Sequence, residues 1–247
     1  MKIILLGYGN MGKTIEKLAV VRGHQIILKI NSENASKLTK EQLAGADVVL
    51  EFTQPDLAYK NVMMCFEAKV PVVCGTTGWR DKMILVEKYC LDNNLAFFYS
   101  TNFSVGVNLF FEINQLLAKL MNNQEQYDEV LIHESHHTGK LDFPSGTAIA
   151  LSSQIIAHVK RLKQWVNYKT DENVNLGNET DGELPIFSSR EADVPGTHIV
   201  KYFSDVDEIE IMHKALNREG FAQGAIAAAE WIQNKKGVYG MKDLLKL

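Results

Sequence analysis

Between Glu134 and Thr147 the chain reads Glu134-Ser135-His136-His137-Thr138-Gly139-Lys140-Leu141-Asp142-Phe143-Pro144-Ser145-Gly146-Thr147, placing two imidazoles, a lysine and a Ser-Gly-Thr turn within fourteen positions. Imidazole titrates near neutrality and an ammonium stabilises developing negative charge, so His136, His137 and Lys140 are candidates for proton transfer. Pro144 fixes its own φ and biases Phe143 away from helix, so the backbone turns just before Ser145. The spacing of Ile149, Ile155, Ile156, Val159 and Leu162 then predicts a helix capped by Ser145 or Thr147. Its first amides, at Gly146 and Thr147, would face outward and suit a carboxylate or phosphate. The chemistry these residues offer is proton transfer beside a held anion.

The elements around this segment set further limits. A chain of 247 residues with 46% hydrophobic content buries a substantial core and fits one large or two modest domains. A formal charge of -4 and a pI near 6.0 give no basic footprint, so nucleic acid is not an expected partner. No apolar run approaches the roughly 18 residues that a membrane span needs, and no leader is expected. Cys65, Cys74 and Cys90 form neither a CxxC pair nor a metal-ligand spacing, so no metal site is expected and a reducing cytoplasm fits.

The first hundred residues alternate between strand and helix patterns. Lys2 to Leu6 is an apolar run that breaks into Gly7-Tyr8-Gly9-Asn10-Met11-Gly12, followed by helical spacing at Ile15, Leu18 and Ala19. This is the dinucleotide fingerprint: one glycine for the tight turn, one for approach of the pyrophosphate, one for helix packing. Further strands are expected at Gln25 to Ile30, Asp47 to Phe52, Val70 to Cys74 and Leu95 to Tyr99, which makes a doubly wound, Rossmann-like parallel sheet of the α/β class. Ligands in such sheets lie beyond the strand carboxyl ends, where Phe52-Thr53, Gly75-Thr76-Thr77 and Ser100-Thr101-Asn102-Phe103 offer small, hydroxyl-bearing and amide groups. After Ile30 stands Asn31, where NAD-selective proteins usually place a carboxylate.

Beyond residue 103 the pattern changes to a helix through Leu109, Ile113, Leu116, Leu117 and Leu120, then a strand from Tyr127 to His133. Short β-rich stretches at Leu184 to Ser189, His198 to Phe203 and Glu208 to His213 predict a second, α+β domain with a mixed or antiparallel sheet. Lys169 to Gly182 is polar enough for a loop, and Arg190 with Gly196-Thr197-His198 is a second potential anion contact. Helical spacing returns from Phe221 to Ile232, with a short segment at Tyr239 to Leu245. The expected division is 1–103 with 218–247 for the nucleotide and 104–217 for the substrate.

Taken together, these residues resemble the 4-hydroxy-tetrahydrodipicolinate reductase family over nearly the whole chain. Glu134 to Thr147 looks like the family's E-x-H-H-x-x-K-x-D-x-P-S-G-T signature. Gly75 to Gly78, Asn102-Phe103-Ser104, Gly196, His198, His213-Lys214-Ala215, Arg218, Phe221-Ala222 and Gly224-Ala225 support it. The resemblance implies reduction of 4-hydroxy-tetrahydrodipicolinate to tetrahydrodipicolinate, in lysine and diaminopimelate biosynthesis, with NADH or NADPH. It implies that His136 donates or accepts the proton, that Lys140 is a second donor, and that His137, Gly146 and Thr147 bind a cyclic dicarboxylate, with the Ser145 turn holding one carboxylate. The cofactor would lie along Gly7 to Gly12, Gly75 to Thr77 and Ser100 to Phe103. The final helix would rejoin the first domain, and the assembly would be a homotetramer built through the second domain's sheet. Two departures leave cofactor preference open: a glycine turn one residue shorter than GxxGxMG, and Asn31.

Two other readings compete. A semialdehyde dehydrogenase would need a nucleophilic cysteine, and none of the three has an evident base nearby in sequence. A redox-sensing module that binds NAD(H) would leave His136, His137 and Lys140 without a purpose.

Asn31 generates a prediction. A neutral amide neither grips both ribose hydroxyls nor repels a 2′-phosphate, so kcat/KM for NADH and NADPH should differ by less than about 100-fold. Asn31→Asp should shift preference toward NADH; steady-state kinetics with both cofactors checks this, and a wild-type preference of about 10³-fold either way would show that other residues set the choice.

Overall fold

The computed structural model describes residues 1–169 and 182–247. The loop expected over 169–182 therefore falls, at 170–181, outside the described residues. The chain forms two units, Met1–Asn108 with Glu219–Leu247, and Leu109–Arg218.

The first unit is built on β1 (Lys2–Leu6), β2 (Gln25–Ile30), β3 (Val48–Glu51), β4 (Val72–Cys74), β5 (Ala96–Tyr99) and β11 (Gly237–Tyr239). They lie in the order β11-β5-β4-β3-β1-β2 with every neighbouring pair parallel. Alternate residues point to opposite faces. Ile3, Leu5, Val48, Leu50 and Phe98 pack beneath α1 (Asn10–Val21), α7 (Glu219–Trp231) and α8 (Met241–Leu245). Ile4, Leu6, Val49, Val72 and Phe97 pack beneath α2 (Lys40–Leu43), α3 (Pro55–Glu67) and α4 (Met83–Asp92). Burial on both faces is why β1, β3, β4 and β5 read as continuous apolar runs. The strand order reverses at β1, which leaves a crevice beyond the ends of β1 and β3.

The second unit has the sheet order β10-β9-β6-β8-β7, from β6 (Glu129–His137), β7 (Gln164–Lys169), β8 (Glu183–Glu191), β9 (Gly196–Phe203) and β10 (Glu208–Ala215). Pairs β10/β9 and β9/β6 are antiparallel, and β6/β8 and β8/β7 are parallel, so the sheet is mixed. One face is covered by α5 (Val105–Met121) and α6 (Gly146–His158), whose Phe110, Ala118, Leu151 and Ile155 meet Val130, Ile132, Ile186, Val200 and Tyr202. This is the doubly wound parallel sheet with a separate α+β unit that the sequence implies.

Differences from the expected elements have local causes. The boundary between units falls inside α5, after Asn108, whose Nδ2 donates back to the carbonyls of Asn102 (2.9 Å) and Ser104 (2.8 Å). The strand read as Tyr127 to His133 runs on through His137. Strand β7 is an edge whose Gln-Trp-Val-Asn-Tyr-Lys sequence shows no clean alternation. The segment from Tyr239 begins instead with the three-residue edge strand β11, held by Gly237 N–H on the Leu95 carbonyl (2.7 Å) and by Tyr239 packed edge-on against Trp231.

Helix α7 reaches the sheet because Gly224 carries no side chain: a Cβ there would lie 1.8 Å from the Phe103 carbonyl oxygen. Gly224→Ala is expected to cost about 1–3 kcal/mol through displaced backbone. Chemical denaturation measures it, and an unchanged midpoint would mean that the helix shifts freely.

Candidate functional sites

Strand β6 is where the second unit becomes chemical. Its buried face carries Val130 and Ile132 and then, at the same two-residue spacing, Glu134 and His136. Sheet register completes the cluster. Parallel pairing sets His136 opposite Arg190 on β8, and antiparallel pairing sets Glu134 opposite His198 on β9.

Glu134 is the centre of this cluster. Its Oε1 accepts from Ser145 N–H at 3.1 Å and from both Nη atoms of Arg190 at 3.3 Å. Its Oε2 lies 3.1 Å from His136 Nδ1 and 3.8 Å from His198 Nε2. The Oε2–Nδ1 pair is close but outside strict hydrogen-bond alignment. Burial pushes the Glu134 carboxyl up, but the proximity of His136 and the donors of Ser145 and Ser188 outweigh it and hold the group below the ordinary carboxylate range. His198 is pressed the other way: burial first and neighbouring His136 second keep its imidazole neutral. Its Nε2 lies 3.0 Å from Ser145 Oγ, and its ring meets that of His136 edge-on with centroids 4.9 Å apart. His136 Nε2 lies against Gly196, where a Cβ would come within 3.1 Å.

Arg190 is not an open anion contact, and that expectation is corrected. Its Nε donates to the Lys140 carbonyl, Nη1 to the Ser189 carbonyl and Glu134, and Nη2 to the Asp142 carbonyl and Glu134. These bonds use all five N–H donors of a guanidinium. The plane also stacks on Phe143, 3.7 Å from the ring centroid. Arg190 thus ties the 140–143 segment to the sheet.

Lys140 Nζ donates to Asp142 Oδ2 at 2.8 Å. Burial pushes the Asp142 carboxyl up, but Lys140 brings it below its ordinary range. His137 ends β6, and its Nε2 accepts from Arg218 Nη2 at 3.0 Å. Arg218 is exposed, and the sequence singled it out only through the family pattern. Ser145 caps α6, its Oγ accepting from Ala148 N–H at 3.2 Å. The Gly146 and Thr147 N–H groups have no partner among the described residues, and a Cβ at Gly146 would meet only open space. His136, Ser145, Glu134 and His198 are therefore one connected group, with Gly146 and Thr147 at its helix end.

In the first unit, Gly7 adopts φ +97, and a Cβ there would lie 1.9 Å from the Phe52 carbonyl oxygen. Gly12 is packed against Gly7, whereas a Cβ at Gly9 would meet nothing within 4 Å, leaving the backbone open to a pyrophosphate. Asn10 begins α1 beside it. A cavity of ≈ 290 Å³ is lined by Met11, Phe52, Thr53, Gly75, Thr76, Thr77, Thr101, Asn102 and Phe103, joined by Pro55 and Phe221. Ser100 does not line it; its Oγ donates to the Asn102 carbonyl at 2.7 Å and shapes that loop. Asn31 is also outside the cavity. Its Oδ1 accepts from the N–H groups of Glu33 (3.0 Å) and Asn34 (3.3 Å), so it builds its own turn and offers outward only its Nδ2. The residues present fit a dinucleotide: an open amide loop at a helix start, then a partly apolar cavity with hydroxyls.

All three cysteines are free and buried. Burial raises each thiol, Cys90 to about 11, and Glu51 raises Cys65 and Cys74 further. None is poised as the nucleophile that a semialdehyde dehydrogenase needs. Glu134, His136 and His198 do bring three potential metal-ligand atoms within 4.8 Å of one another, a grouping invisible in the spacing because His198 comes from another strand. Arg190 already supplies the cation against Glu134.

The family profile described as dihydrodipicolinate reductase, N-terminus, matches residues 1–103, and that described as dihydrodipicolinate reductase, C-terminus, matches 106–245. A 4-hydroxy-tetrahydrodipicolinate reductase of Christiangramia forsetii is 45% identical over 99% of this chain and 98% of its own length. One from Neisseria gonorrhoeae is 36% identical over 83% of this chain and 74% of its own. In fold, the chain is similar to the dipicolinate-bound dihydrodipicolinate reductase of Paenisporosarcina sp. TG-14, with a TM-score of 0.78, 22% identity and 98% coverage of both chains. No helix among the described residues is long and apolar enough to cross a membrane.

The neutral, buried His198 generates a pH prediction. The unfolded chain takes up a proton on this imidazole near 6.5 and the folded chain does not. Stability is therefore full above about pH 6.5 and declines as pH falls, by up to about 1.4 kcal/mol per pH unit. Glu134 adds its own loss only below its ordinary 4.5. His133 and His213, also lowered by burial, contribute in the same window as His198. His198→Gln should remove one proton's share of the slope between about pH 6.5 and 4.5 in denaturation experiments. A slope equal to the wild type's would show that His198 is protonated in the fold.

Proposed function

The chain belongs to the dihydrodipicolinate reductase family, and on that premise we propose that it reduces 4-hydroxy-tetrahydrodipicolinate to tetrahydrodipicolinate with NADH or NADPH and one proton, the 4-hydroxyl leaving as water. The first unit holds the nucleotide along Gly7–Gly12 and in the cavity at Phe52-Thr53, Gly75–Thr77 and Thr101–Phe103. The second holds the cyclic dicarboxylate. When bound, the reduced nicotinamide supplies the hydride.

The chain's own residues then do the rest. With Glu134 3.1 Å from Nδ1, His136 Nε2 is the atom that gives and regains a proton. Lys140 adds positive charge, favouring the electron-rich ring that accepts hydride, and acts as a second donor. The Gly146 and Thr147 amides with the Thr147 hydroxyl hold one ring carboxylate, and His137, paired with Arg218, adds a contact to the dicarboxylate. Holding the anion at the end of α6 fixes the ring and removes part of the entropic barrier.

The observation that carries this reading is the link from His136 through Glu134 to Ser145: the proton-transfer group and the anion cradle share one buried carboxylate. Buried free cysteines support a cytoplasmic setting. A homotetramer is part of the same proposal and rests on the family resemblance alone.

His136→Gln is expected to lower turnover by about 10²- to 10⁴-fold. Binding of NADH and of pyridine-2,6-dicarboxylate should stay within about threefold, because neither the nucleotide cavity nor the α6 amides are altered. NADH consumption and calorimetric titration measure the two effects. Turnover within tenfold of wild type would reject His136 as the proton donor.

A further inference from the structure

The first unit buries a second carboxylate that the reading above does not use. Glu51 ends β3, is fully buried, and lies directly behind Phe52 and Thr53 in the cavity wall. Its Oε1 accepts from the Thr53 hydroxyl and from Asn61 Nδ2 (3.2 Å), and its Oε2 accepts from the Cys74 thiol (3.1 Å). All three of these groups can donate, so the pocket is built to solvate a carboxylate. Burial, with Glu51's own charge adding, keeps the Cys74 thiol protonated for that role. Yet no lysine, arginine or histidine forms an ion pair with Glu51 among the described residues. Neutral dipoles satisfy the oxygens without cancelling the charge. Its field therefore reaches into a cavity partly walled by Phe52, Phe103 and Met11, where apolar material screens it less than water would.

We propose that the buried carboxylate of Glu51 biases the cavity toward the oxidised nicotinamide ring, which carries one positive charge where the reduced ring carries none. The proposal rests on the reading of this cavity as the nicotinamide site. Glu51 would act through space and through Thr53. The Thr53 hydroxyl donates to Glu51 and its Oγ1 accepts from Asn61 Nδ2 (3.3 Å), while its N–H donates to Thr76 Oγ1 (2.8 Å), so a residue of the cavity wall is hydrogen-bonded directly to the carboxylate.

The test is the ratio of dissociation constants for NAD+ and NADH on the full chain, by calorimetry and by NADH fluorescence. Glu51→Gln is nearly isosteric and removes the charge; its new NH2 group would meet the Cys74 sulfur, which can accept. It should raise Kd(NAD+)/Kd(NADH) about tenfold, equivalent to about 30 mV for this two-electron couple. Asn61→Lys sets an ammonium against the carboxylate and should move the ratio in the same direction, which decides the matter if Glu51→Gln does not fold. Glu51→Asp keeps the charge and should stay within about threefold of wild type. A purely structural role would shift both constants together; a ratio within about twofold of wild type in the charge-removing variants overturns the inference while leaving the reductase reading intact. Failure of the wild type to bind either nucleotide would overturn both.

Discussion

A carboxylate with no solvent around it holds the second unit's chemistry together. Isolated in the interior, Glu134 would cost several kcal/mol, more than most single contacts return. Its stability as an anion requires Ser145 N–H, Arg190 and His136 to be where they are. Each comes from a different piece: the start of α6, strand β8 and the end of β6. Arg190 extends the dependence, because the same guanidinium accepts no freedom at Lys140, Asp142 or Ser189. The lysine-bearing segment, the anion-holding turn and the histidine are thus positioned by one charge pair instead of by independent packing.

How much of this was legible before the structure depended on distance along the chain. His136, Lys140 and Ser145 to Thr147 stand close together, and the cap at Ser145 follows from a proline and a helical period. The role of Glu134 did not show, because two of its partners lie 56 residues away on β8 and 64 residues (198 − 134) away on β9. Only strand register brings them in. Arg190 was misread for the same reason: a lone arginine looks available until the carbonyls that consume its donors are in view. The glycine loop and the buried strands of the first unit were plain, whereas β7 in the second unit and β11 in the first were not, since the Gln-Trp-Val-Asn-Tyr-Lys of β7 has no clean alternation and three residues of β11 are too few to show a period.

Asn31 marks a different limit. Its position after β2 was correct, but a short amide next to a turn has its own backbone as the nearest partner, and Glu33 and Asn34 take its oxygen. Residue type and place in the fold do not determine which way such a side chain faces. Local competition for hydrogen bonds does.

Glu51 and Glu134 pose the same physical problem at the end of a buried strand and receive opposite solutions. Glu134 has a guanidinium at 3.3 Å, so beyond its immediate neighbours the two charges largely cancel. What His136 receives is a carboxylate oxygen 3.1 Å from one imidazole nitrogen, which leaves the other to exchange a proton. Glu51 has only hydroxyl, amide and thiol donors. Such dipoles lower the cost of burying the charge but leave its net value at long range, and that value acts on whatever occupies the adjacent cavity. Pairing with a cation suits a group that must orient a proton carrier, while pairing with neutral donors suits one that must act on a charge it does not touch.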